Sequence, residues 1–483
     1  MSAPPEPTAP CRSTTGLTLG TVGLLGLGAL ALGMAVQVRD GLYHPWGFRW
    51  LTVALVAVLL PLMRGRQDTP APVLRWLLAA GIALQLIQSY ASPLPGSWHG
   101  PRAGATFYLL ISAATLASLL LIWTGWRATD CARRAALLVL VAVVTAMGAW
   151  IIHATPQPHM DVWHAQSAGL EAIWRGENPY RASYPLIYDT SDVYAPGVVQ
   201  GGRVQQGFPY PPVTLYLDLL GYLAGDYRWS NLAAVALAAI FIGFMRPGPV
   251  APLVAGLFVL HPRLLFVLES GWTEPTMVLL LAATVFCAFR WRWLVPVMLG
   301  LLVASKQYLL FAIPAAWLLL PRPLRWKSSL RMASIAVMVA LVSSLPLILL
   351  DVRAFWHSAV GQAGSTALRT DALSYLALWA VHFRQTPPQW LGFAAAALIS
   401  ATCLWRVPSW WRGNPSMDNS LTPPASIGAA GFAYTVAAAH LVFFALGKFA
   451  FCNYYWFLSG ALCCAAAALP TPGGRGADSC DEA

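Results

Sequence analysis

Long apolar runs alternate with short polar breaks along almost the whole chain. Five runs, at 17–36, 50–63, 73–86, 104–123 and 135–152, precede one long polar stretch at 161–212. Ten more follow, at 213–223, 229–245, 250–260, 275–289, 294–304, 308–320, 333–350, 390–405, 427–446 and 455–469. About 20 apolar residues in a helix cross a bilayer, and a helix satisfies its own backbone where no water can. The pattern therefore predicts an all-α fold, a polytopic transmembrane helical bundle of about 13 to 15 hydrophobic segments. The runs at 50–63 and 73–86 are short and need flanking residues or tilt to span.

The polar breaks predict the topology. Arg64, Arg66 and Arg75 fall in one break, and Arg127, Arg133 and Arg134 in the next but one; the break between them holds only Arg102. Basic loops stay in the cytoplasm, so the amino terminus is expected inside and the stretch 161–212 outside. A full crossing by 213–223 would then put 269–274 inside and Arg290 and Arg292 outside. That run is therefore predicted to be re-entrant or interfacial, since broken segments at membrane depth line cavities. The stretch 351–389 has sparse mixed charge, with Phe355, Val360, Leu373, Leu376 and Trp379 at helical spacing. It reads as amphipathic helices on the outer face. The predicted division is a disordered tail (1–15), amino-terminal transmembrane helices (16–152), an outer catalytic loop (153–212), a carboxyl-terminal bundle (213–469) and a second disordered tail (470–483). No cleaved signal peptide is expected at the start.

Composition narrows the class. The chain of 483 residues is 58% hydrophobic and 10% charged, where globular domains carry about 25% charge. The net charge of +11 is explained by short basic loops such as Arg322, Arg325, Lys327 and Arg331, so membrane lipids are expected partners and nucleic acid is not. Eight cysteines show no ligand spacing. Cys287, Cys403, Cys463 and Cys464 sit inside apolar runs and read as small buried hydrophobes. Abundant alanine and leucine point to a GC-rich bacterial source, hence a plasma or inner membrane.

The stretch 161–212 holds Asp161, Glu171, Glu177, Asp189 and Asp192, five of the 19 acids in the chain. A helix starting near Asp161 puts His164, Ala165 and Ala168 on the same face. Asp161 then either caps that helix or acts as a general base, taking a proton from a sugar hydroxyl at the membrane boundary. Gly176 suits a left-handed helix end, and Asn178-Pro179 starts a turn. Lys306 and Lys448 fall on the predicted outer side, where each is either a snorkelling side chain or a phosphate contact; Arg203 and Arg263 are further candidates. No glycine-rich nucleotide loop appears, and Gly23, Gly26 and Gly28 read as helix packing. Asp189-Thr-Ser-Asp192 is not a D-x-D motif, which disfavours a nucleotide-sugar donor.

In order along the chain stand Asp161, then Gly176-Glu-Asn-Pro-Tyr180, Phe208-Pro-Tyr-Pro-Pro212, Ala304-Ser-Lys-Gln-Tyr308 with Pro314 beyond, and Gly447-Lys-Phe-Ala-Phe-Cys-Asn-Tyr-Tyr455. This series resembles the integral-membrane GT-C superfamily of glycosyltransferases, which use polyprenyl-phosphate sugars. The branch most similar to it is the bacterial mannosyltransferase- and arabinofuranosyltransferase-like enzymes. The resemblance covers about 161–469. It implies Asp161 as the base, with Glu171 as fallback, and Lys306, Lys448, Arg263 and Arg203 as donor-phosphate contacts. It implies His164, Tyr180, Tyr210, Glu269, Glu274, Asn453 and Tyr454 as substrate contacts, the two glutamates lining an acceptor site or holding a metal. The sequence itself requires no cofactor, and a divalent metal is left open. The partners implied are a polyprenyl-phosphate sugar donor, carrying mannose or an arabinofuranose-like sugar, and a lipid or glycan acceptor. The chain departs from the family in having five apolar runs before its Asp, where members usually have one. A single base with direct attack inverts the anomeric centre, by analogy with glycosidases. A transporter or flippase of polar lipids and an oligosaccharide ligase or polymerase are the alternatives.

Overall fold

The computed structural model describes residues 19–91, 101–189, 193–194, 196–320, 326–361, 364, 366–411 and 425–470. The expected tails (1–15 and all of 470–483 but its first residue), Asp192, Arg322 and Arg325 lie outside the described residues, as does the side chain of Arg102. The protein is an all-α, multi-pass membrane protein, with seven helices among the described residues long and apolar enough to cross a bilayer.

Five helices come first: α1 (Thr21–Gln37), α2 (Pro45–Arg64), α3 (Ala71–Ala91), α4 (Pro101–Arg127) and α5 (Asp130–Ala154). The short runs of α2 and α3 do recruit flanking residues, reaching 20 and 21 residues. A polar region follows. It holds α6 (Asp161–Trp174) and a three-stranded antiparallel sheet of two-residue strands, β1 (Tyr184–Pro185), β2 (Val199–Gln200) and β3 (Arg203–Val204), in the order β1-β3-β2. The sheet was not expected from the sequence, because strands of two residues carry no readable alternation.

Next come α7 (Val213–Leu223), α8 (Arg228–Gly243), α9 (Val250–Val259), α10 (Leu264–Glu269) and α11 (Glu274–Arg290). Named contacts fix their direction. Arg228, at the start of α8, donates to the Thr155 and Ile152 carbonyls where α5 ends, at 2.8 and 3.3 Å. Gly248 N, past the far end of α8, donates to Asp130 Oδ1 at the start of α5, at 3.0 Å. So α8 runs antiparallel to α5. The first turn of α7 packs Leu215 against Gly169 of α6. Its last turn donates from Gly221 N to Ser230 Oγ at the start of α8, at 2.9 Å. Both ends of α7 therefore lie at the α6 end of the bundle. It does not cross, and this removes the topological conflict created by counting it as a span.

The chain returns through α9 to Arg263, whose Nη2 donates to the Gln37 carbonyl at the end of α1, at 3.0 Å. Glu274 thus opens α11 at the α6 end, and Arg290 and Arg292 fall at the opposite, basic end. Then α12 (Val295–Val303) climbs back to Lys306. The segment Gln307–Leu319 descends as two 3-10 stretches around one α turn, α13 (Ala312–Ala315). The remaining elements are α14 (Trp326–Leu350), α15 (Val352–Phe355) followed by a π turn (Trp356–Gly361), α16 (Tyr375–Phe383), α17 (Leu391–Arg406), α18 (Ala425–Ala445) and α19 (Cys452–Ala468).

The core centres on α19. Its alanines, glycine and paired Cys463-Cys464 are buried throughout, so neighbouring helices approach closely. A Cβ on Gly460 would lie 2.7 Å from Val278 of α11. By contrast, none of the apolar window of α14 is buried within the protein, leaving it a peripheral, lipid-facing helix. Helix α15 and the π turn after it pack on the polar region at the α6 end, while Leu373 to Tyr375 pack on the starts of α2 and α19. Arg181 pairs with Asp351, Ser358 Oγ donates to the Tyr180 carbonyl at 3.0 Å, and Gln307 Nε2 reaches the Pro209 and Ala359 carbonyls, both at 2.6 Å.

Candidate functional site

Asp161 sits in the first turn of α6, where a negative charge suits the helix dipole. Its Oδ1 accepts from Val162 N at 2.8 Å, so the carboxylate does meet an open helix donor. Its Oδ2 faces away from the helix and accepts from Tyr194 Oη at 3.4 Å. The Tyr188 hydroxyl is also within hydrogen-bonding reach, and the Arg369 guanidinium within electrostatic reach. Burial pushes the Asp161 carboxyl above the usual range, opposed by the Val162 N–H, the Tyr188 hydroxyl, Arg369 and the Tyr194 hydroxyl. Burial and then the Asp161 charge hold Tyr184, Tyr188 and Tyr194 above the usual phenol range, so they stay protonated and can donate. His164 feels Asp161 as expected from one helix face, but burial lowers it overall and keeps the ring neutral.

A second cluster lies beneath. Lys306 Nζ donates to Glu274 Oε1 at 2.5 Å and to Thr273 Oγ1 at 3.2 Å, and stands 4.5 Å from the centre of the Tyr210 ring. Asn453 Nδ2 donates to the same Glu274 oxygen at 2.9 Å. The rings of Tyr308 and Tyr454 complete the wall around the ammonium, at 5.6 and 5.7 Å. Lys306 and Glu274 are almost wholly buried, at 2% and 0%. Buried charges persist only when paired, and here the pair is also hydrogen-bonded on both sides. Glu274 Oε2 is left buried with no partner among the described residues. Tyr210 and Tyr454 join the two clusters, each lying within electrostatic reach of both Asp161 and Glu274.

Asp161, His164, Tyr210, Glu274, Lys306, Asn453 and Tyr454 are thus brought to one place. The other candidates are engaged in contacts of their own. Glu171 is half-exposed and paired with Arg175 at 2.5 Å, ten residues along α6, about 15 Å from its start. Arg203 is exposed and holds Ser183, with Nε on its Oγ at 3.0 Å and Nη2 on its carbonyl at 2.7 Å. Arg263 is buried against Asp40 at 2.7 Å, tying the end of α1 to the start of α10. Lys448 Nζ holds the Gly364 and Thr366 carbonyls at 3.1 and 2.9 Å. Tyr180 is a packing residue, its ring edge-on to Phe355 and its hydroxyl on the Tyr210 carbonyl at 3.2 Å. Glu269 is buried, and its carbonyl receives Arg228 Nη1 at 3.0 Å. Among the described residues no group of three His, Cys, Asp or Glu side chains could hold a metal ion.

Four side chains at this place were not picked out from the sequence. Tyr188, Tyr194 and Tyr308 belong to it; the crowding of tyrosines between 180 and 210 was the available signal for the first two, and the Ala304–Tyr308 motif for the third. Arg369 is the fourth. Its Nε and Nη2 engage Asp371 at 2.8 and 2.7 Å, leaving Nη1 among its five donors uncommitted to that pair. A further buried acid, Asp218 of α7, receives Gln166 Nε2 of α6 at 2.7 Å and so fixes α7 beneath the Asp161 helix.

No family model, characterised protein or solved structure matches this chain.

Proposed function

We propose that the protein is a membrane glycosyltransferase that moves a sugar from a polyprenyl-phosphate donor to a hydroxyl on a lipid or glycan acceptor. The observation that carries this reading is Asp161: a carboxylate with one oxygen turned toward protonated tyrosines and an arginine, above a buried Lys306–Glu274 pair, where the bundle meets the polar region. The acceptor hydroxyl oxygen attacks the anomeric carbon and gives its proton to Asp161. The bond from that carbon to the phosphate oxygen breaks, and its electron pair leaves with the lipid phosphate. Positioning and charge supply most of the acceleration, because a sugar on a phosphate already has a good leaving group.

The assignment of the phosphate contact shifts. The three N–H donors of Lys306 face Glu274, Thr273 and an aromatic ring, so its charge is already matched. Arg369, near Asp161 with donors to spare, is the better electrophile for the departing phosphate. Lys306 then acts as a positioning residue, holding Glu274 so that its partnerless oxygen can accept from a sugar hydroxyl. An outer location of the α6 end is part of this reading, and the net positive charge at the opposite end of the bundle supports it through the positive-inside rule.

One feature favours a lipid transporter instead. The broken Gln307–Leu319 segment, beside a buried ion pair, is the kind of element that transporters use. Purified protein in liposomes, offered a panel of polyprenyl-phosphate sugars, decides between them. Sugar transfer to an acceptor supports the enzyme; movement of lipid-linked sugar across the bilayer with no transfer supports the transporter.

A further inference from the structure

A groove runs down the lipid-facing side of α1 and α2. Leu24 and Leu27 of α1, with Val53, Val56, Ala57 and Leu60 of α2, wall a cavity of about 420 Å³. At its α6 end stand Arg49 and Thr52. The helix rises about 16 Å from Arg49 to Leu60, about half of the ~30 Å hydrocarbon layer. The groove is therefore one leaflet deep, apolar along its length and cationic at its mouth.

Arg49 is exposed, lies over the Trp46 ring at 4.2 Å, and has no carboxylate partner among the described residues. Thr52 Oγ1 shares a hydrogen bond with Tyr375 Oη at 2.7 Å. Tyr375 follows a short segment that joins this mouth to the Asp161 site. In that segment Arg369 feels Asp161, the Asp371 carbonyl accepts from Tyr43 N at 2.7 Å, and Ala372 bridges to Leu42. A lipid leaving the reaction site toward α2 would pass along it.

We infer that the groove holds the single-chain lipid monophosphate released by transfer, its hydrocarbon chain between α1 and α2 and its phosphate on Arg49. This rests on the glycosyltransferase reading. One trough between two packed helices takes one chain, where a diacyl phospholipid brings two. Departure of the sugar adds negative charge to the phosphate, and a planar guanidinium free of carboxylates suits that group.

Wild type, Arg49→Ala and Val56→Trp in phosphatidylcholine nanodiscs are titrated with a long-chain polyprenyl monophosphate, and bound lipid is counted by native mass spectrometry. Val56 is 58% exposed, so the indole fills the groove without entering the core. Each variant is expected to bind about tenfold more weakly, and phosphatidylglycerol at equal concentration is expected to leave wild-type binding unchanged. Unaltered binding in both variants, or equal displacement by phosphatidylglycerol, overturns the inference. Transfer assayed on the same preparations keeps the two claims apart. Weakened lipid binding in the variants beside a wild type that transfers nothing supports the groove and removes the enzyme. Active wild type with binding unaltered in both variants does the reverse.

Discussion

At the scale of the residue, two carboxylates stand in opposite situations. Asp161 is buried enough that its carboxyl is raised above the ordinary range. The folded state then holds the proton more tightly than the unfolded chain does. Its contribution to stability is complete below the unfolded pKa and is lost as pH rises through the raised folded pKa. Asp161→Asn should therefore melt no lower than wild type at neutral pH, read by thermal unfolding in detergent; a clearly lower midpoint would contradict the burial argument. Transfer should gain with pH along a limb lying above the usual carboxylate range. Tyr194→Phe removes a hydroxyl that lowers the Asp161 pKa, so that limb should move to higher pH, seen in the pH profile of kcat/KM. Glu274 differs because its charge is matched. Lys306→Met or Glu274→Gln alone strands a buried partner and should cost about 3–5 kcal/mol, whereas replacing both by apolar residues should recover most of it. A double-mutant cycle on unfolding midpoints checks this, and simple additivity would argue against a coupled pair.

At the scale of the element, the site depends on how α5, α8 and α10 are pinned at one end. Arg228 is wholly buried and does the pinning, with Asp226 on one side and the carbonyls of Ile152, Thr155 and Glu269 on the other. Arg228→Lys keeps the charge but loses the fork, so folded yield in detergent should fall sharply; near-wild-type yield would show the fork is dispensable. Gly207 has φ +73°, and a Cβ there would lie 2.2 Å from the Tyr180 carbonyl. Gly207→Ala should cost more than about 1 kcal/mol and shift Tyr210 away from Lys306, lowering activity as well as the melting midpoint. Elements of this kind were legible where periodicity or end signals were strong. Helix α6 starts at Asp161, and its end at Gly176 was readable from the glycine alone. The bounds of α7 were readable from its apolar run, and the expectation that it is re-entrant or interfacial came from charge parity around Arg290 and Arg292. The Lys306–Glu274 pair was not readable, because two residues 32 apart in apolar surroundings meet only through the paths of α11 and α12. Arg369 was hidden for a related reason. Its stretch read as amphipathic helices on the outer face, and its approach to Asp161 depends on the fold of two separate loops.

At the scale of the whole molecule, a buried central helix, α19, carries Asn453 into the site, while peripheral helices such as α14 meet the lipid. The two polar regions are clamped together by the Arg181–Asp351 pair and the Gln307 amide. Positive charge collects at the other end. This arrangement predicts that Cys131, exposed in the first turn of α5, and a thiol placed by Glu177→Cys label from opposite sides of a sealed vesicle with a membrane-impermeant maleimide. Labelling of both from one side would contradict the topology and, with it, the proposed outward placement of the site. The central claim is that Asp161 removes the proton of an acceptor hydroxyl during transfer from a lipid-phosphate sugar. The most direct measurement compares wild type with Asp161→Asn in lipid, recording donor binding and sugar transfer on the same preparation. Donor binding should be unchanged and transfer reduced at least about a hundredfold, the usual scale for losing a general base. Transfer that survives in Asp161→Asn, with the same donor bound equally well, would contradict it.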